Sequence, residues 1–226
     1  MKKPIRWLAV VLSSLGFSQR VVCEPAVPAS DGFKLVTDLS KLPLDIGVWL
    51  GKGKVEVVHD LQGLEFIEEK EQERWLPKTD VGGKEHPWRR MIFMVTWVNG
   101  DGASIGRPLR VSFNADSGKI WYLHMPVKPQ SSMPKVGSIA AGDTFQTCVA
   151  KLGQPVNDVQ TAPVTREAAW QMGSTTYRIN YSSEAYRDFN QAFRAGEIDL
   201  ISVYRKDLAP PGFDDKPTVY DPSKGW

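Results

Sequence analysis

The sequence predicts an α+β protein, in which an antiparallel β-rich N-terminal half is followed by a small module of one helix and an antiparallel sheet. Three observations carry that prediction. Between about 91 and 125, apolar runs of strand length alternate with turn residues; at 143–153 apolar residues recur at helical spacing between a cap and a glycine stop; after 165 short strand-like runs return.

Taken in order, the chain opens with Lys2, Lys3 and Arg6 before an apolar run from Trp7 to Phe17, then Ser18-Gln19-Arg20, which is the layout of a secretory signal peptide. The run is too short to anchor the chain across a bilayer. Residues 1–29 are therefore expected to be removed, with cleavage after Cys23 or after Ala29, leaving a periplasmic or secreted bacterial protein with no stable membrane insertion. Arg20-Val21-Val22-Cys23 departs from the Leu-Ala/Ser-Gly/Ala-Cys box of lipoproteins, so lipid anchoring at Cys23 is not expected.

Removal of this segment changes the charge. Of 28 basic and 26 acidic side chains, 24 and 25 remain, so the basic excess that would suit a nucleic-acid partner disappears. Cys148 is then the one cysteine left, and no intramolecular disulfide can form. Stability has to come from an ordinary core.

A β-rich domain is expected over 30–125. "KVEVV" (54–58) reads as a strand, whereas "LEFIEEKEQERW" (64–75) fits neither period. "MIFMVTWV" (91–98) reads as a strand followed by the hairpin signal Asn99-Gly100. "PLRVSF" puts Leu109, Val111 and Phe113 on one face, "NADSGK" turns, and "IWYLHM" returns, completing a meander. The Pro- and Ser-rich residues 126–137 read as a linker between two halves.

The module over 138–207 begins with a helix capped by Asp143 or Thr144, with Phe145, Cys148, Val149 and Leu152 on its apolar face and Gly153 and Pro155 ending it. Cys148 on that face reads as a buried, inert thiol. "AAWQMG", "TTYRINYS" and a final hairpin turning at Ala195-Gly196 complete it, and 208–226 form an irregular tail.

Catalytic signals are weak. Gly102-Ala103-Ser104-Ile105-Gly106 fits the G-x-S-x-G pattern of a nucleophile elbow, but that device needs a helix after the serine, and here Arg107-Pro108 and a strand follow. His124 is the one histidine downstream. The glycines in this stretch also lack the spacing of a phosphate cradle. His59, His86 and His124 are too scattered for a zinc site. Glu65, Glu68, Glu69, Glu71 and Glu73 lack the loop pattern of a calcium site, so a solvated face is expected. No cofactor is expected. Trp97 and Trp121 lie in apolar runs and should be core, whereas Trp75 and Trp88 flank a polar loop; with Ser104 and Arg107 they are the candidate partner contacts.

"VGSI…GDTFQTCVAKLGQP", Trp170, Tyr177 and "FRAGEIDLI" together resemble the small α+β module of the SmpA/OmlA (BamE-like) envelope lipoproteins and the related β-lactamase-inhibitor-like fold, over about 136–205. The resemblance implies a non-enzymatic role in binding another protein, as an inhibitor or immunity factor. "DIGVWLGKGKV", with Gly47 and Trp49, looks like the Gly-x-Trp start of calycin barrels, which implies a carrier of a small apolar ligand as the alternative. A serine hydrolase using Ser104 is the third.

Overall fold

The computed structural model describes residues 34–40, 42–60, 67–71, 88–98, 100–128, 133–188, 191–211, 213, 216–217 and 219–223. The expected leader and its cleavage site, Glu65, Glu73, Trp75, His86 and Asn99 lie outside these residues.

The expected α+β class is corrected: the protein is mostly β, with 46% of the described residues in strands and 15% helical. The helical spacing at 145–152 was a true signal, but the helix covers a sheet and does not form a layer of comparable size. Strands β1 (Lys34–Leu35), β2 (Ile67–Glu71), β3 (Trp88–Val98), β4 (Ser104–Asn114), β5 (Ile120–Pro126), β6 (Asn157–Ala162), β7 (Thr165–Met172), β8 (Thr175–Ser182) and β11 (Ile198–Arg205) make one antiparallel nine-stranded sheet. Its order is β1-β3-β4-β5-β11-β8-β7-β6, and β2 shares with β1 the outer edge of β3. β9 (Tyr186–Asp188) and β10 (Gln191–Phe193) pair with each other.

The hydrogen bonds between β5 and β11 join the meander of the first half to the strands of the second, so one sheet runs through both. The proline-rich segment between them is tied down at both of its described ends. Val127 N–H donates to Asp199 O at 2.9 Å, and Lys135 pairs in parallel with Asp45. Ala195-Gly196 does turn the chain, with Gly196 at φ 81, but the strand after it returns between β5 and β8 and does not pair with β10.

One face of the sheet, the front, is apolar. Met91, Phe93, Val95 and Trp97 of β3, Leu109, Val111 and Phe113 of β4, Ile201 and Val203 of β11, and Ile179 of β8 are buried there. Period-two alternation puts them on one side because successive strand side chains point oppositely. Helix α1 (Lys54–Asp60), a 3-10 turn at Ile46–Trp49 and helix α2 (Phe145–Leu152) cover this face through Ile46, Trp49, Val57, Phe145 and Cys148.

Residues 54–58 are helical, not a strand. The side chain of Glu56 accepts a hydrogen bond from Gly53 N–H at 2.9 Å, the backward half of a capping box, which favours the helix despite the β-branched valines, and Val55 is 82% exposed while Val57 is buried. Helix α2 follows the sequence closely. Thr144 accepts from Thr147 N–H, Gly153 ends the helix at φ 83, and Cys148 is buried with its thiol pushed up to about 12, chiefly by burial.

The stretches "DIGVW" and "VGSI", each singled out by a separate resemblance, meet at one joint. Asp45 Oδ1 accepts from Gly47 N–H at 2.8 Å and from Gly137 N–H at 2.7 Å, holding the two segments back to back. A Cβ on Gly47 would lie 2.6 Å from Gly137 N, and one on Gly137, at φ 61, would lie 2.6 Å from Tyr177 Oη. Trp49 Nε1 donates to Asp60 at 2.9 Å beside the joint. The joint is half-buried, and Ile46, Trp49, Val136 and Ile139 on either side of it enter the core. Among the described strands β6 pairs only with β7, and the sheet is an open path.

Candidate functional site

The other face of the sheet, the rear, is covered by neither α-helix among the described residues. Its side chains are the alternate residues of the same strands, and they are largely polar. Register places Arg110 (β4), His124 (β5), Ser202 (β11) and Arg178 (β8) directly opposite one another in a row across four strands. The next row runs Ser112, Tyr122, Tyr204, Thr176. Ser112, Ser202, Thr176 and Tyr204 are buried; Arg110, Tyr122, His124 and Arg178 are half-buried.

Cross-strand hydrogen bonds hold the row. Arg110 Nη1 lies 3.0 Å from His124 Nε2, and Tyr122 Oη lies 3.1 Å from His124 Nδ1. Ser202 Oγ is 3.4 Å from both Tyr122 Oη and His124 Nδ1. A guanidinium can only donate, so His124 Nε2 accepts and the ring proton of the neutral imidazole sits on Nδ1. In that tautomer the imidazole donates toward Ser202 or Tyr122, and the row holds its side chains in place across four strands.

Beyond Ser202, Arg178 donates to Tyr204 Oη at 3.3 Å and makes an ion pair with Glu167 at 3.2 Å. Burial raises the Glu167 pKa and Arg178 opposes that shift. A bulge in β5 adds an aromatic end to the face. Phe113 pairs with Ile120 but Ser112 pairs with Tyr122, so Trp121 is an extra residue and joins Tyr122 on the rear. From the tail, Phe213 packs edge-on against Trp121 at 4.8 Å and Tyr204 at 5.2 Å, and Tyr220 N–H bonds to Gln160 O of β6 at 2.8 Å. Toward the β3–β4 turn the face is open, with Met94 53% exposed beside exposed Gly106 and Ser104.

Of the candidate contacts of the sequence, Trp75 lies outside the described residues, and Trp88, Ser104 and Arg107 are not brought together. Ser104 is exposed at the start of β4, opposite Val98, while Trp88 is the first residue of β3, opposite Asn114; ten residues of strand, roughly 33 Å, separate them. Arg107 has the other parity and forms an ion pair with Asp199 at 3.5 Å, beside the end of the covered face. Burial raises the Asp199 pKa, and Arg107 partly offsets it. Ser104 lies six residues along β4 from the residue opposite His124, roughly 20 Å away, far beyond hydrogen-bond reach. Among the described residues no group of three or more His, Cys, Asp or Glu side chains could hold a metal.

A separate cleft of about 560 Å³ lies at the edge of the molecule, lined by Leu35, Val36, Leu39, Leu42, Leu44 and Met133 with several polar neighbours. It is formed by the segment before the 3-10 turn and the proline-rich segment, and it is not the lumen of a barrel. No helix among the described residues is long and apolar enough to cross a membrane.

The polar row itself was missed in the sequence because its members are spread over 110–204 and share no motif. The available signal was parity: once Leu109, Val111 and Phe113 are assigned inward, Arg110 and Ser112 must face the other way. Comparison with protein families, with curated proteins and with solved structures finds no match.

Proposed function

We propose that the protein is an exported, non-enzymatic binding module of the bacterial envelope that docks another protein on the rear face of its sheet, in the manner of an inhibitor or immunity protein. The observation that carries this reading is the contrast between faces: α-helices cover one, while the other offers a pre-ordered array of arginine, histidine, tyrosine and serine beside an open platform at Met94, Ser104 and Gly106. Cross-strand bonds that fix side chains before binding reduce the entropy lost on association. Aromatic and arginine side chains at such a surface are the residue types that carry binding energy. The resemblance of residues 136–205 to envelope binding modules supports the same role.

The reading is tested by capture from the envelope fraction of the source cell, using the mature chain and its Met94→Glu variant. A single protein species retained by the wild type and lost with Met94→Glu is expected. Capture of nothing, or of the same species by both chains, counts against docking on this face.

A second reading, carriage of a small apolar ligand, draws on the cleft at Leu35–Leu44, whose volume lies within the range of ligand sites. A lipophilic molecule copurifying with the mature chain and lost on Leu42→Glu would favour it.

A further inference from the structure

Arg110 is the unusual member of the rear row. It is half-buried, its Nη1 contacts a neutral imidazole nitrogen, and its Nε is buried with no hydrogen-bond partner. Among the described residues no carboxylate pairs with it, whereas Arg107, Arg166, Arg178 and Arg205 each have an acidic partner. A cation partly withdrawn from water without a counter-ion is costly, and an incoming anion recovers that cost. We infer that Arg110 is the receptor for a carboxylate of the docked protein, an Asp or Glu side chain in an extended segment lying along β4. This rests on the docking role proposed above and specifies the partner's chemistry.

The surroundings narrow the class. His124 holds the guanidinium from one side, so the remaining Nη hydrogens present a fixed fork, the geometry that carboxylates match in a bidentate pair. Opposite Arg110 on β3 stands half-buried Ile92, and one pair further on exposed Met94 faces Pro108. An acidic residue flanked by apolar ones fits such a surface. A nucleic acid or other long polyanion does not, because a mature chain of 24 basic and 25 acidic side chains has no broad positive field to hold it.

Titration of the isotope-labelled mature chain, followed by NMR, tests this with three probes: a capped Leu-Glu-Leu peptide, the capped Leu-Gln-Leu peptide, and inorganic phosphate. The glutamate peptide is expected to move the resonances of Arg110, His124 and Ser202, and Arg110→Gln to weaken it about tenfold, the order expected for one charge-assisted pair. Arg110→Lys, which keeps the charge and serves as the fold control, should retain part of the affinity. Equal shifts with the glutamine peptide, equal affinity for phosphate alone, an unchanged affinity in Arg110→Gln, or no shift at all would overturn the assignment. The two proposals fail separately. If the envelope partner is captured equally by wild type and Arg110→Gln, docking stands and the carboxylate receptor falls; if glutamate binds at Arg110 but no partner is captured, docking on the rear face falls.

Discussion

The front and rear of the sheet are built from alternate residues of the same strands, yet different forces hold them. In front, Trp97, Val111, Leu123 and Ile201 are fully buried beneath helices and touch one another, so each contributes through area and fit. Behind, Arg110, His124, Ser202 and Arg178 contribute through cross-strand hydrogen bonds; Ser202 is buried, while the two arginines and His124 keep part of their surface in water. A front residue can be replaced only by one of similar shape. Replacing a polar residue of the rear row removes one or two hydrogen bonds and leaves a smaller gap than loss of a large front side chain.

The largest effects should therefore come from the front. Trp97→Ala is expected to cost about 3–5 kcal/mol in denaturant unfolding, since the indole is wholly buried on β3 and leaves a cavity. A loss under about 1 kcal/mol would mean that the front core repacks freely. Next comes the joint beneath it. Gly137→Ala combines a positive φ with a methyl driven onto Tyr177 and should cost about 3 kcal/mol, while Gly153→Ala, also at positive φ but facing open space, should cost about 1 kcal/mol. Equal losses at the two glycines would show that close approach at the joint is unimportant.

On the rear, Ser202→Ala should cost about 1 kcal/mol, because His124 and Tyr122 keep their own bond when the serine hydroxyl is lost. A loss as large as that of Trp97→Ala would erase the distinction between faces. The smallest effect is pH-dependent. Burial lifts the Asp199 carboxyl above the ordinary 3.8, so its folded form keeps a proton that the unfolded chain releases. Wild-type stability from this group is then full below 3.8 and falls as pH rises through the raised folded value, whereas Asp199→Asn does not titrate. Melting temperatures of the two proteins across that window should diverge in favour of the variant as pH rises; divergence in the opposite sense would make the Arg107 pair dominant.

What the sequence revealed divides along the same line. The front was legible: Leu109, Val111 and Phe113 alternate, and Phe145, Cys148 and Val149 recur at helical spacing, because burial imposes periodicity on composition. Local chemistry was partly legible. Thr144 and Gly153 bound α2 as expected, but at 54–58 the alternating valines suggest a strand more strongly than Gly53 and Glu56 suggest a cap. β6, "NDVQTA", is an edge strand of half-buried, mostly polar residues and carries no apolar signature in the sequence. The bulge that turns Trp121 to the rear breaks the alternation that "IWYLHM" suggests. The rear row was hidden for a further reason, since Arg110 and Ser202 are joined by a strand order that only long-range pairing creates. Of the residues singled out by motifs, Ser104 is an exposed strand start, and Gly47 and Gly137 meet at a half-buried joint between two segments.

Site-specific photocrosslinking in the living cell tests docking on the rear face most directly. A photoreactive phenylalanine would be placed in turn at Met94, exposed on the rear, and at Val55, exposed on α1 over the front. The same partner protein should be covalently captured from Met94 and not from Val55. Capture from Val55 alone, or from neither position, would contradict it.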